Sequence, residues 1–180
     1  MGYKYINFMS LLFAECISLK YLPNLSKWNT EKVNDIFGLF YKCYSLKNIP
    51  DISKWIIINM RNISELFFEC SSLKYLPDIS KWNTSNINDI SKLFYRCCSL
   101  ISLPGIDEWN INKVNFMHGL FYGCSSLKEL PDILKWNINI VIDMSYLFYK
   151  CSSLKELPDT SKWDLKYVYT IRNMFYSCVS

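Results

Sequence analysis

Residues 147–159 read Leu-Phe-Tyr-Lys-Cys-Ser-Ser-Leu-Lys-Glu-Leu-Pro-Asp, and variants of this pattern recur every 27 residues along the chain of 180. All six tryptophans and all six prolines keep the same interval, with no insertion between copies. A fixed period of this length is typical of repeat proteins, in which each unit stacks on its neighbours. Seven of the eight cysteines share one position of the repeat, at Cys16, Cys43, Cys70, Cys97, Cys124, Cys151 and Cys178.

The repeat predicts one helix followed by one short strand. Apolar residues stand ten, seven, four and three positions before each cysteine, as at Val33, Ile36, Leu39 and Phe40. These offsets fit one face of a helix of about three turns. The stretch after the cysteine is too short for another helix, so we expect a strand around 74–76 that pairs in parallel with its copies. The predicted fold is therefore an α/β solenoid of 27-residue coils, each a short parallel strand plus a helix.

The repeats fill the sequence from end to end. We expect a single solenoid domain over 1–180, with about six and a half repeats. Met1 falls at the tryptophan position of the repeat, and the sequence stops two residues after Cys178. Both ends therefore cut through a repeat, which predicts a fragment of a longer array. Apolar coil faces left uncovered at such ends predict end-to-end self-association.

The charge and the apolar runs of the sequence limit the classes of partner that we expect. The formal net charge of +4 is spread over positions of both signs and gives little reason to expect a nucleic-acid partner. The apolar runs are shorter than the roughly 20 residues that cross a bilayer, so we expect no transmembrane segment. The N-terminal residues show no signal peptide, and the sequence by itself leaves the localisation open.

The cysteines invite a disulfide or metal interpretation. Adjacent copies would lie about 4.8 Å apart, within disulfide reach, yet seven in one row cannot all pair. A zinc site needs ligands clustered at short spacing, and only Cys97 and Cys98 are close in sequence. We interpret the seven as a structural column of reduced, buried packing residues. Occasional disulfides stay open as an alternative, and we expect neither a metal nor another cofactor.

The aromatic and charged positions have similar alternatives. The tryptophans either form a ligand platform or cover the edge of the core with the indole N–H on a carbonyl, and we favour the second. The tyrosines two before the cysteines, such as Tyr41, are interpreted as packing. Lysines four and eleven after the cysteines, with aspartates eight after, predict a mixed solvated face or, alternatively, an anion-binding groove.

Nothing in the sequence predicts catalysis. His118 is the only histidine, and no cysteine or aspartate stands at motif spacing from it. Glycine-rich phosphate loops and metalloprotease or hydrolase motifs are absent from the sequence. Acids and hydroxyls recur at repeat positions instead of forming one asymmetric cluster. We therefore expect a non-catalytic protein.

One position of the repeat varies while its neighbours stay fixed. It lies five residues after the cysteine, in the predicted strand, and we call its six copies the variable row: Tyr21, Asn48, Tyr75, Ser102, Glu129 and Glu156. Variation between fixed anchors is typical of a binding face. Relaxed constraint at an exposed position predicts the same variation.

Two stretches carry a family resemblance. Residues 147–159, together with Ser-Lys-Trp-Asn-Thr-Ser-Asn-Ile at 80–87, resemble the BspA-like leucine-rich-repeat surface proteins and, more closely, their mycoplasma-lipoprotein type of repeat. The resemblance implies a leucine-rich-repeat-like solenoid at the cell surface or secreted, used for adhesion. The expected function is a scaffold that binds a protein or glycan ligand, with a structural spacer in a longer surface protein as the alternative.

Overall fold

The computed structural model describes residues 6–130 and 132–178 and shows 27-residue coils stacked on one another. In this part of the chain, helix is limited to two single 3-10 turns, Ile106–Glu108 and Ile133–Lys135. Each ends directly before a tryptophan of the repeat. The first five and last two residues of the predicted domain lie outside the described residues.

The prediction of an α-helix before each cysteine is wrong. That segment is a series of tight turns, as where the Cys97 amide donates to the Phe94 carbonyl at 3.1 Å. The third residue of this turn, Arg96, has a φ of 55°, as type II turns require and a right-handed helix excludes. Two residues per coil, five and one before the cysteine, have positive φ: Leu11, Glu15, Gly38, Lys42, Glu65, Glu69, Lys92, Arg96, Gly119, Gly123, Tyr146, Lys150, Asn173 and Ser177.

The apolar spacing explains the error. Over the ten residues before a cysteine, a period of three and a helical period of 3.6 place nearly the same positions inside. The spacing of about three, however, continues past the cysteine around the whole coil, where a helix cannot follow. The interior residues of one coil, none more than 5% exposed, are Val33, Ile36, Leu39, Phe40, Cys43, Leu46, Ile49, Ile52 and Trp55.

The eight residues before each cysteine also bond to the next coil, and we call them the turn segment, 89–96 in the coil of Cys97. Every second amide of this segment donates to a carbonyl 26 residues later. In this coil the distances are 2.6–3.0 Å, for Ile90 to Phe116, Lys92 to His118, Phe94 to Leu120 and Arg96 to Tyr122. The backbone thus satisfies its hydrogen bonds partly in turns and partly between coils.

The prediction of a parallel strand around 74–76 is wrong as well. Among the described residues, parallel pairing occurs as isolated one-residue bridges, and one of these, Asn48 with Tyr75, falls where the strand was expected. The other five lie eight before the cysteines, inside the predicted helix, and they join Phe8 to Asp35, Asn62 to Asp89, Asp89 to Phe116, Phe116 to Asp143 and Asp143 to Thr170. The predicted α/β class is therefore incorrect, because turns interrupt both elements.

Phenylalanines form the centre of the stack. The rings three before the cysteines lie nearly parallel from Phe13 to Phe175, with centroids 5.4–6.0 Å apart. The five between these two are fully buried. Burial of each such ring stabilises the fold by roughly 1.5–3 kcal/mol. The core is one continuous column that runs through the coils.

Candidate binding surfaces

The cysteine column lies inside the stack. The thiol of each column cysteine from Cys43 to Cys178 donates to a phenylalanine carbonyl 30 residues earlier, at 2.8–3.1 Å. All eight cysteines are free, and of the column only Cys16 is exposed. Burial raises the pKa of Cys43 to about 11 and raises that of Cys97 as well. The described residues contain no cluster of potential metal ligands.

The tryptophan column is also internal. The indole N–H donates to a carbonyl 30 residues earlier at 3.0–3.3 Å in Trp55, Trp82, Trp109 and Trp136. These four side chains are at most 4% exposed. They cover the core edge, as interpreted from the sequence, and their ring faces are not open to a ligand.

A second aromatic column runs along the surface of the stack. Its rings stack at centroid distances of 4.3–5.0 Å in the order Tyr41, Phe68, Tyr95, Tyr122, Tyr149 and Tyr176. Burial raises the pKa of Tyr95 to about 12, and the electrostatic interaction with Tyr122 is the next largest cause. Because each interior ring has a neighbour on both faces, only edges and hydroxyls are left for contact with a partner.

The lysines four and eleven after the cysteines and the aspartates eight after them are exposed, as expected for a mixed solvated face, and Asp132 pairs with Lys135 at 3.8 Å. Asp51, Asp78 and Asp159 each accept the amide N–H two residues later at 2.8–2.9 Å, so they cap turns. Ion pairs between coils occur at the positions of positive φ, as between Lys92 and Glu65 at 3.2 Å and between Arg96 and Glu69 at 3.1 Å. Another joins Lys155, at one of the repeat lysine positions, to Glu129. At the surface such pairs contribute at most about 1 kcal/mol each.

His118 lies close to a single carboxylate. Its Nδ1 is 3.8 Å from Asp143 Oδ2 and has no hydrogen-bond partner among the described residues. The side chain is 35% exposed. This contact is too long for a hydrogen bond.

The variable row lies on the outside of the stack. All six residues, Tyr21, Asn48, Tyr75, Ser102, Glu129 and Glu156, are exposed. The residues directly before the row are joined between adjacent coils by backbone hydrogen bonds. For example, the Lys74 N–H donates to the Lys47 carbonyl at 3.2 Å. Lysines lie beside the row, with Lys47 over the ring of Tyr21 and Lys155 paired with Glu129. Whether these residues bind a partner stays a prediction.

A groove that sequence reasoning missed crosses the stack at positions nine to twelve before the cysteines. Its volume is about 530 Å³, and it is lined by Ile58, Asn59, Arg61, Asn86, Asn88, Lys113, Asn115 and Ile140. A neighbouring depression of about 610 Å³ shares Asn59 and Arg61 with it. The available signal was the recurrence of asparagine at these positions, interrupted by Arg61 and Lys113.

In the described residues, no helix has the length and apolar character needed to cross a membrane. No curated protein matches the chain. A solved structure that it resembles is the crystal structure of the T. pallidum leucine-rich repeat protein, with 20% identity over 70% of this chain and 72% of that one, at a TM-score of 0.30.

The sequence also matches a protein family over residues 7–103 and 101–180. The match agrees with the mycoplasma part of the resemblance and includes nothing specific to BspA-like proteins. The chain belongs to the family described as Mycoplasma protein of unknown function, DUF285.

Proposed function

We propose that the protein is a non-catalytic repeat scaffold that binds a protein or glycan partner along the variable row. The observation that supports this most is the exposure of all six variable residues on a backbone whose neighbouring positions are fixed. Such an arrangement lets side chains change without loss of the stack.

The chemistry of the row favours a protein partner over a glycan. Tyr21 and Tyr75 are 61% and 56% exposed, and tyrosine is enriched among the residues that dominate binding energy at protein interfaces. Glu129 and Glu156 are also exposed and place carboxylates at the other end of the row, where Lys155 pairs with Glu129. An aromatic end and a charged end together would fix the orientation of a partner.

The test is a comparison of two quadruple variants on an array of immobilised proteins and glycans. The first changes four of the six residues of the row, with Y21A, Y75A, E129A and E156A. The control removes the same residue types from exposed positions elsewhere, with Y44A, Y176A, E31A and E108A. A ligand bound by the native protein should lose at least about tenfold in affinity with the first variant only. Equal binding by the two variants would favour the spacer function.

End-to-end self-association is a second part of the proposal. The first described coil exposes Ile6, Phe8, Leu12 and Ile17, and the last exposes Leu165, Tyr167, Tyr169 and Ile171. Exposed apolar patches of this kind favour association. Sedimentation should show a mass that rises with concentration, and a monomer at high concentration would contradict the proposal.

A further inference from the structure

The asparagine-lined groove is a second surface, separate from the variable row. The groove lies nine to twelve residues before the cysteines, whereas the row lies five after them, on a different part of each coil. None of the six residues of the row lines the groove. What the groove binds can therefore be tested independently of the proposed function.

The groove carries positive charge and amides without any acid. Arg61 and Lys113 supply two cations, four asparagines supply amides, and no carboxylate is among the lining residues. In the part of the chain that the structure describes, the Arg61 guanidinium has no ion pair. An unpaired guanidinium with five N–H donors next to amides is suited to an anionic oxygen ligand.

Backbone and side-chain bonds keep the groove in shape. Asn59 and Asn86 each donate from Nδ2 to a carbonyl of the preceding coil, at 2.8 and 2.9 Å. The Lys113 ammonium donates to Asn86 Oδ1 at 2.8 Å, which leaves two of its three protons for a ligand. Donors held in place in this way lose less conformational entropy on binding.

The spacing of the two cations indicates a polymer. Arg61 and Lys113 belong to coils separated by one intervening coil, so they stand about 10 Å apart along the stack. Asn88 lies in the coil between them and has an exposed amide. This order of cation, amide and cation matches an extended chain in which acidic sugars alternate with neutral ones.

We propose that the groove binds an acidic polysaccharide, with Arg61 and Lys113 on successive acidic groups and Asn88 on the hydroxyls of the sugar between them. Guanidinium and ammonium supply charge-assisted hydrogen bonds to carboxylate or sulfate. Asparagine amides both donate and accept, as sugar hydroxyls require. Ile58 and Ile140 provide apolar contact for the sugar rings.

The test measures affinity of the full chain for heparin and hyaluronan oligosaccharides, with dextran as the neutral probe. R61A/K113A should weaken binding of an acidic oligosaccharide at least about tenfold, because two charge-assisted bonds are lost. The control variant K54A/K81A has the same net charge as R61A/K113A but changes exposed lysines outside the groove. It should change the affinity less than about twofold.

A third variant tests the sugar contact. N88D keeps both cations but places a carboxylate between the acidic groups of the ligand, and it should weaken binding about as much as R61A/K113A does. Equal losses with R61A/K113A and K54A/K81A would show unspecific charge attraction and overturn the proposal. Equal affinity for dextran, or stronger binding of single-stranded DNA, would overturn the assignment to acidic sugars.

Discussion

The two sides of a column cysteine differ in how firmly they are held. In the turn segment 89–96, four amides donate to the next coil at 2.6–3.0 Å and the interior side chains are fully buried or nearly so. In the stretch 98–105 after the same cysteine, two amides donate to the preceding coil, those of Ser99 and Ile101, at 3.2 and 3.3 Å. The firmly bonded side therefore builds the stack, and the loosely bonded side is free to vary in sequence.

Thiol reactivity should show this difference most strongly. Cys16 is exposed and Cys98 half-buried, whereas the other six cysteines are buried. Burial also raises the pKa of Cys97 and Cys124, which lowers their thiolate fraction at pH 8. A chromogenic disulfide reagent should modify two thiols at least about a thousandfold faster than the other six, since these react only on opening.

A Cys98→Ser variant provides the control for this measurement and should leave a single fast thiol. Eight fast thiols in the native protein, or none even after denaturation, would contradict a reduced and buried column.

A phenylalanine of the core gives the next largest effect. Phe94 stacks between two neighbouring phenylalanine rings and is fully buried. Phe94→Ala should therefore lower the free energy of unfolding by about 3–5 kcal/mol. Tyr75→Ala, in the variable row, should change it by less than about 0.5 kcal/mol because the side chain is mostly exposed. Urea denaturation measures both free energies of unfolding. Similar losses of stability in the two variants would contradict the difference between the segments before and after the cysteine.

The left-handed positions give a smaller effect. Gly119 has a φ of 59°, and a Cβ there would lie 3.4 Å from Tyr95 Cδ2, an ordinary contact. Gly119→Val should cost about 1–2 kcal/mol, because a β-branched residue is strained in this region. Gly119→Asn should cost clearly less, since asparagine tolerates positive φ. Thermal unfolding of the two variants compares them, and equal stability would argue against the left-handed backbone.

The indole hydrogen bonds give the smallest effect. Trp109 donates to the Ile79 carbonyl at 3.1 Å, so Trp109→Phe should lose about 1 kcal/mol for the bond in addition to the change in packing. The indole N–H of Trp163 is buried without a partner in the described residues, and Trp163→Phe should lose no bond. A larger loss of stability with Trp163→Phe than with Trp109→Phe would mean that the indole hydrogen bond does not determine the difference between the two variants.

The sequence allowed correct prediction of which residues lie inside and failed on the backbone that carries them. Interior columns such as Phe94 and Cys97 follow from the repeat interval and from hydrophobicity, which do not depend on the type of secondary structure. The turns were missed because spacings of three and 3.6 coincide over ten residues. Glycine at the left-handed positions, as in Gly38 and Gly119, was the signal that could have revealed them.

The surfaces were predictable only in part. The exposure of the variable row follows from its place between apolar anchors, and its variation in sequence indicated a candidate binding face. The groove depends on how Arg61, Asn88 and Lys113 come together from three coils. Each is an ordinary polar residue in sequence, so only the stacking of the coils brings them onto one surface.

Far-UV circular dichroism of the isolated protein tests the central claim most directly, which is that turns and not helices build each coil. The structure predicts a spectrum without the paired minima of an α-helix, because its described residues have helix only at Ile106–Glu108 and Ile133–Lys135. A helix of three turns in every coil would instead place about two fifths of the residues in helix. A spectrum with helix content near that value would contradict the account.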